Sequence, residues 1–318
     1  MISPGYSYLN LSREGLYKFL GNLLCMKKHA LRVELTIDTE ADFYYLVPSP
    51  HFSKLDILKW KLNKFRGKLY RYPWPSRNGF INIVDSLKQH NFPATFCIVG
   101  HLYLKECKGF RHFNEISPQD GWYKEKTGND WYSWDQGGNY RKYPGRYLGD
   151  LIEKEKMNKL FNFGLHAFTH EAMTLERKEV VESIISSGIA AAKKLGVKID
   201  SFACPFELTE DEQEPEKVFN ALRKNKIKRI FYSGKDNGLE IKRFFSIEKP
   251  KHEKGLEKIW ISNYFEGTSS KEHMRSIMQE ILDNKDKDAT YCLVTHDFTH
   301  KNKDNINKIL TFLKNEGF

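Results

Sequence analysis

Gly164-Leu165-His166-Ala167-Phe168-Thr169-His170-Glu171 sets two imidazoles four positions apart, directly after a short apolar stretch. On a helix or in a tight turn that spacing presents both rings to one side. The pair lacks the adjacent glutamate of a zinc-protease helix, because Ala167 stands there. Gly164 permits a close turn, and Thr169 and Glu171 are expected to support the two histidines from behind. Two more polar clusters end apolar runs: Asp38-Thr39-Glu40-Ala41-Asp42 after residues 31–37, and His296-Asp297 after residues 290–295. Polar groups at the ends of several strands can meet on one face of a barrel or an open parallel sheet. Imidazoles with a carboxylate at such a place make a site for a divalent cation, with positions left for water and substrate.

The rest of the chain supports that geometry. Residues 31–37, 94–99, 162–166, 199–204, 229–233, 244–247, 259–262 and 290–295 read as strands from their β-forming apolar runs. Helical spacing marks 78–91, 148–160, 175–195, 215–225, 271–284 and 305–315. Thr174 and Asp304 are placed to cap two of these helices, and Gly196 to close one. Prolines 48, 50, 73 and 75 suggest loops within 43–77. Short strands alternating with helices indicate an α/β class with a largely parallel sheet. Residues 1–30 form an N-terminal extension and 31–318 one domain. An aromatic-rich insertion at about 107–147, dense in Trp and Tyr, either packs as a cover or offers ring faces to a sugar.

Composition narrows the function classes. The 318 residues are 40% hydrophobic and 29% charged, with a net charge of +10. The basic residues are spread along the chain, which reads as a solvated surface or as attraction to an anionic partner. No dense basic block and no zinc-finger spacing argues for nucleic acid. The five cysteines, Cys25, Cys97, Cys107, Cys204 and Cys292, show no CxxC pair and read as free thiols in a reducing compartment. Cys97, Cys204 and Cys292 sit in apolar runs as small buried side chains. No apolar run is long enough to span a membrane. No export signal stands at the N-terminus, which argues for the cytoplasm, peripheral to the membrane.

Several segments together carry a resemblance. Phe163-Gly164-Leu165-His166-Ala167-Phe168-Thr169-His170 resembles the HxxxH motif of the polysaccharide deacetylases, carbohydrate esterase family 4. Leu35-Thr36-Ile37-Asp38 resembles the family's first motif, Pro93-Ala94-Thr95-Phe96-Cys97-Ile98-Val99-Gly100 its second-strand signature, and Leu293-Val294-Thr295-His296 its last motif. Their order and spacing cover about residues 31–300. The resemblance implies a distorted (β/α) barrel of about seven parallel strands and metal-dependent removal of acetyl groups from an N-acetylated sugar. It assigns Asp38 as general base, His166 and His170 as metal ligands, and His296 as the acid that protonates the leaving amine. The backbone N–H of Phe206 becomes a donor to the acetyl oxygen, in Ala203-Cys204-Pro205-Phe206.

Two departures from the family pattern matter. Thr39 stands where a second aspartate would bind the metal, so Glu40 is the favoured third ligand, with Asp42 behind it. Ala203 stands where an arginine would pair with the base. Asp297 or another carboxylate is expected to hold the far nitrogen of His296, and His300 is read as a surface residue. The cofactor implied is zinc, with cobalt or another divalent ion also suited to a His-His-carboxylate set. The leading reading is hydrolysis of N-acetyl, and by extension O-acetyl, groups on a surface polysaccharide or its glycan precursor. The rival readings are hydrolysis of a non-sugar C–N bond on the same scaffold, and a glycan-binding protein that has lost its catalytic centre.

Overall fold

The computed structural model describes residues 30–50, 52–70, 77–118, 121–206, 215–233 and 246–318. The predicted extension, with Cys25, lies outside the described residues except for Ala30, as do Pro73 and Pro75. The strands among the described residues are β1 (Arg32–Thr39), β2 (Ala94–Ile98), β3 (Glu106–Cys107), β4 (Gly138–Asn139), β5 (Phe161–Leu165), β6 (Ser201–Ala203), β7 (Arg229–Tyr232), β8 (Lys251–Glu253), β9 (Leu256–Tyr264) and β10 (Thr290–His296). Parallel pairing runs β10–β1–β2–β5–β6–β7–β9, and β9 returns to β10. That closes a barrel of seven parallel strands, as the resemblance implied. β8 folds back antiparallel on β9, and β3 pairs antiparallel with β4 in a separate ribbon.

Barrel strands are covered on both sides, which is why they read as near-continuous apolar runs. All residues of β2 are buried, and β10 is buried up to Thr295. Helices pack around the outside with their apolar stripes inward. In Arg77–His90 the stripe is Phe80, Ile83, Val84 and Leu87, repeating at helical spacing. Burying each such side chain contributes about 1.5–3 kcal/mol. Cys97 and Cys292 are fully buried and Cys204 nearly so, and the described cysteines are free thiols. No described helix is long and apolar enough to cross a membrane.

Register decides what meets at the barrel mouth. Asp38 pairs with His296 across β1 and β10, and with Cys97 across β1 and β2. Cys97 pairs in turn with Gly164, close to the end of β5. The polar strand ends of the sequence therefore stand side by side.

Some local expectations fail for identifiable reasons. Within the stretch read as loops, Lys54–Tyr70 is a helix. Its start was encoded in Ser53 and Asp56, which exchange bonds: the Asp56 N–H donates to Ser53 Oγ at 3.2 Å, and Ser53 N–H and Oγ–H donate to the Asp56 carboxylate. The helix expected from residue 175 begins at Lys178, after a 3-10 turn over Met173–Leu175 that absorbs Thr174. Asp304 is the first residue of the last helix rather than its cap. The helix read over 148–160 ends at Glu155. Of the strand expected over 244–247, residues 244 and 245 lie outside the described residues and Ile247 is not in a strand; pairing there is limited to an isolated antiparallel bridge between Glu248 and Thr290.

One contact ties the outer layer to the mouth. A Cβ placed on Gly79 would stand 1.8 Å from the carbonyl oxygen of Asp297. Backbone cannot swing aside as a long side chain would. Gly79→Ala is therefore expected to lower stability by about 1–3 kcal/mol through overpacking, read from urea unfolding. An unchanged midpoint would contradict this close approach.

Candidate metal and catalytic site

β1 delivers Asp38 to the mouth, and the chain then turns. Ala41 has a φ of 49°, a left-handed value that is uncommon for alanine. The turn is held from the last strand: one Asp297 oxygen accepts the N–H of Glu40 at 2.9 Å and that of Ala41 at 3.1 Å. Asp297 thus fixes the backbone that carries Glu40.

His166 follows β5 directly, with its N–H donated to the carbonyl of Ile98 at 2.9 Å. The next turn is sharp, with φ of 54° at Ala167 and 66° at His170. Glu171 is buried at its centre. Its carboxylate accepts the N–H of Phe168 at 3.0 Å, the N–H of Thr169 at 2.7 Å and the Thr169 hydroxyl. Thr169 and Glu171 therefore shape the turn rather than bonding to the imidazoles, which differs from the expectation. Burial pushes the Glu171 carboxyl up to about 7 despite these donors.

Three imidazoles converge on one carboxylate oxygen. Glu40 Oε1 lies 3.3 Å from His170 Nε2, 3.6 Å from His166 Nε2 and 3.6 Å from His296 Nε2. The ligand atoms of Glu40, His166 and His170 all fall within 4.8 Å of one another. Exposure is 4% for Glu40, 2% for His166 and 3% for His170. Among the described residues, His166 Nε2, both His170 nitrogens, Glu40 Oε2 and Asp38 Oδ1 have no hydrogen-bond partner. Buried polar atoms left this way are costly, on the order of 1–3 kcal/mol each. Meanwhile His166 Nδ1 faces the Ala203 carbonyl at 3.0 Å, which aims Nε2 into the cluster. Two imidazoles and a carboxylate, dry and unsatisfied, fit a divalent cation. Asp42 starts the short Phe43–Leu46 helix and takes no part in this cluster.

The charges respond to this crowding. Burial raises the Asp38 carboxyl above its usual range, against the pull of His166 and His296. Burial also acts to raise Glu40, but the charge of His170, with His166 and His296, outweighs it and holds Glu40 well below the carboxylate range. Burial would lower His296, yet Glu266 and the nearby carboxylates carry it up to about 10. Its Nδ1 meets Glu266 Oε1 at 2.6 Å. Glu266, not Asp297, is the carboxylate that holds His296. Nothing in its local sequence marked it, because it is supplied by the segment after β9. The Thr299 hydroxyl also donates to Glu266 at 2.7 Å.

These groups line one cavity of about 530 Å³, which also contains Phe206. Phe206 has a φ of 60°, and its ring meets His170 edge-on at 4.6 Å. With Ala203 at its position, no arginine is among the described residues that line the cavity, in keeping with the unpartnered Asp38 Oδ1. At the rim, Tyr44 is 45% exposed and stacks on Phe298 with ring centres 4.1 Å apart. The insertion's Tyr123, Trp131, Tyr132, Trp134 and Tyr147 are instead buried and form a packed cover. His300 is fully buried, with Nε2 2.7 Å from the Thr295 hydroxyl, so reading it as a surface residue was wrong.

No protein-family model matches the chain, and no curated protein matches it. Solved structures do. A Mycobacterium smegmatis protein assigned as a polysaccharide deacetylase superposes with a TM-score of 0.53 at 13% identity, over 91% of this chain and 85% of that one. A family 4 carbohydrate esterase from Streptomyces lividans, solved with acetate, matches at TM-score 0.44 and 12% identity, over 90% of this chain and 89% of that one. This chain therefore has the fold of the polysaccharide deacetylases.

Proposed function

We propose that the protein is a metal-dependent hydrolase that removes acetyl groups from an N-acetylated polysaccharide or its glycan precursor. The observation that carries this reading is the convergence of Glu40, His166 and His170 beside Asp38 and His296 in one cavity. The M. smegmatis likeness, a protein assigned to polysaccharide deacetylation, supports the substrate class.

Glu40, His166 and His170 would hold the cation. Bound there, a divalent ion supplies Lewis-acid polarisation of the acetyl carbonyl and a water whose pKa is lowered to about 7. The chain's own groups do the rest. Asp38 accepts the proton of the attacking water with its unpartnered oxygen. The Phe206 N–H donates to the carbonyl oxygen as charge develops on it. His296, kept as imidazolium by Glu266, donates a proton to the departing sugar amine. Water and amide thus become acetate and amine. Tyr44 stacked on Phe298 presents an apolar face at the rim for a neighbouring sugar ring. The net charge of +10 suits a glycan that carries acidic groups.

Zinc- or cobalt-loaded protein is expected to release acetate from an N-acetylglucosamine oligomer or a related glycan, measured by enzymatic assay of acetate. His166→Ala should lose both turnover and an equivalent of bound ion. His296→Gln should keep the ion and lose about 10²–10⁴-fold in kcat. No acetate from a broad glycan panel would remove the activity. Turnover of a cyclic amide that survives strong chelation would move the reading to a non-sugar C–N bond. Glycan affinity left untouched by His166→Ala, with no turnover in the wild type, would favour a binding protein.

Asp297 supplies a second test. Asp297→Ala leaves two buried N–H groups at Glu40 and Ala41 without their acceptor. Its affinity for zinc at the Glu40 cluster should fall about 10–100-fold in a chelator competition, because a support of a ligand is gone. Asp297→Asn keeps an acceptor oxygen and should stay close to wild type. Equal affinity in all three would show that Asp297 does not position Glu40.

A further inference from the structure

A second group of metal-ligating side chains lies outside the cavity just described. His101, Cys107, His112 and Asp135 each turn one ligand atom inward, and those atoms lie within 4.8 Å of one another. They come from separate pieces of chain. His101 sits in the Gly100–Tyr103 turn after β2, and Cys107 ends β3. His112 lies on the loop beyond, and Asp135 follows the 3-10 turn Trp131–Trp134. β3 pairs with β4 so that Cys107 stands opposite Gly138, which brings the Asp135 loop back to the thiol.

The outer faces of both imidazoles are already engaged. His101 Nδ1 meets the carbonyl of Arg146 at 2.9 Å, and His112 Nδ1 meets Glu115 Oε1 at 2.7 Å. An imidazole that donates from Nδ1 to an oxygen turns an electron pair on Nε2 the other way, the arrangement that supports metal-bound histidine. Inside, His101 Nε2 is 3.7 Å from Cys107 Sγ, and Sγ is 3.6 Å from one Asp135 oxygen. His112 Nε2 and the other Asp135 oxygen are 2.9 Å apart as an ion pair, and among the described residues neither atom has a further hydrogen-bond partner. Both side chains are only 2% exposed. An imidazole nitrogen and a carboxylate oxygen buried this close together, beside a thiol and a second imidazole, bring four donor atoms within reach of one cation. The Tyr147 hydroxyl at 3.1 Å and the Gly109 N–H at 3.4 Å face the sulfur, the kind of neighbours that steady a thiolate.

We propose that His101, Cys107, His112 and Asp135 form a structural zinc site that staples the aromatic-rich insertion to the barrel. Four protein ligands with sulfur and imidazole make a closed, tetrahedral donor set with no position left for substrate. Binding converts the Cys107 thiol to thiolate and releases its proton to solvent. The staple reaches the candidate catalytic site through Phe168, which lies between His166 and His170 in sequence. Its ring centre is 5.4 Å from that of His112 and 6.3 Å from that of His101. The same cover is tied to that turn by Trp131, whose Nε1–H donates to the Thr169 hydroxyl at 2.8 Å.

The two donor sets differ in one readable way: Cys107 sulfur belongs to this one, whereas the Glu40 set is two imidazoles and a carboxylate with Cys204 only lining its cavity. Full-length protein in a Cys25→Ser background, loaded with cobalt, should show a thiolate-to-cobalt charge-transfer band in the near ultraviolet. Cys107→Ser and His112→Ala should each abolish the band and remove one equivalent of metal. His166→Ala should remove a different equivalent and leave the band intact, so failure of the Glu40 cluster and failure of this site are distinguishable. If the Cys107 variant does not fold, zinc-edge X-ray absorption of the Cys25→Ser protein decides, with a sulfur neighbour expected at about 2.3 Å. A cobalt protein without the band, or a zinc spectrum of nitrogen and oxygen neighbours only, overturns the proposal. In that case the cluster is a charged network, with His112 held as imidazolium between Glu115 and Asp135.

Discussion

A buried carboxylate and two buried imidazoles, with a third imidazole half-buried beside them, are the constraint on which the candidate site depends. Glu40 Oε1 stands 3.3–3.6 Å from three ring nitrogens, while several neighbouring donor atoms have no other partner. Proteins bury polar atoms when they are paired, so this concentration of unsatisfied groups needs a counterpart. Under the proposed function a divalent cation would supply it. The barrel's task is then to hold strand ends in register closely enough for those groups to share a ligand.

The supports are spread through the fold. Asp297 ties down the Glu40 turn from just after β10, Glu171 builds the turn that carries His166 and His170, and Glu266 fixes the orientation of His296. Each is a buried or half-buried carboxylate spent on positioning. The cluster around Cys107 extends this pattern outward, because its ring contacts reach Phe168 in the same turn. Cover and turn are thus joined by a ring contact at Phe168 and a hydrogen bond at Thr169, both between His166 and His170 in sequence.

Much of this was legible from residue order. Parallel strands buried on both faces leave continuous apolar runs, so β1, β2, β5 and β10 stood out, as did the polar residues just beyond them. Side chains two apart along extended chain share a face, which sets Glu40 with Asp38, and Ala41 then turns the chain so that Asp42 is not among the clustered donors. What stayed hidden depends on distant pairing. Glu266 acts on a residue thirty positions away, and the meeting of Cys107 with Asp135 requires the β3–β4 ribbon. His300 misled because a polar residue after a strand end normally faces water, whereas here Thr295 receives it in the core. The insertion's rings were equally open to packing or to sugar; Tyr123, Trp131, Tyr132, Trp134 and Tyr147 are buried in packing, and Tyr44 is the exposed ring at the rim of the Glu40 cavity.

The most direct test of the account is anomalous X-ray scattering at the zinc edge from crystals of the zinc-loaded wild-type protein. The account predicts a peak about 2.0–2.2 Å from a Glu40 carboxylate oxygen and from one nitrogen each of His166 and His170. A saturated crystal with no peak among those three side chains, and their unsatisfied atoms bridged by water instead, would contradict it.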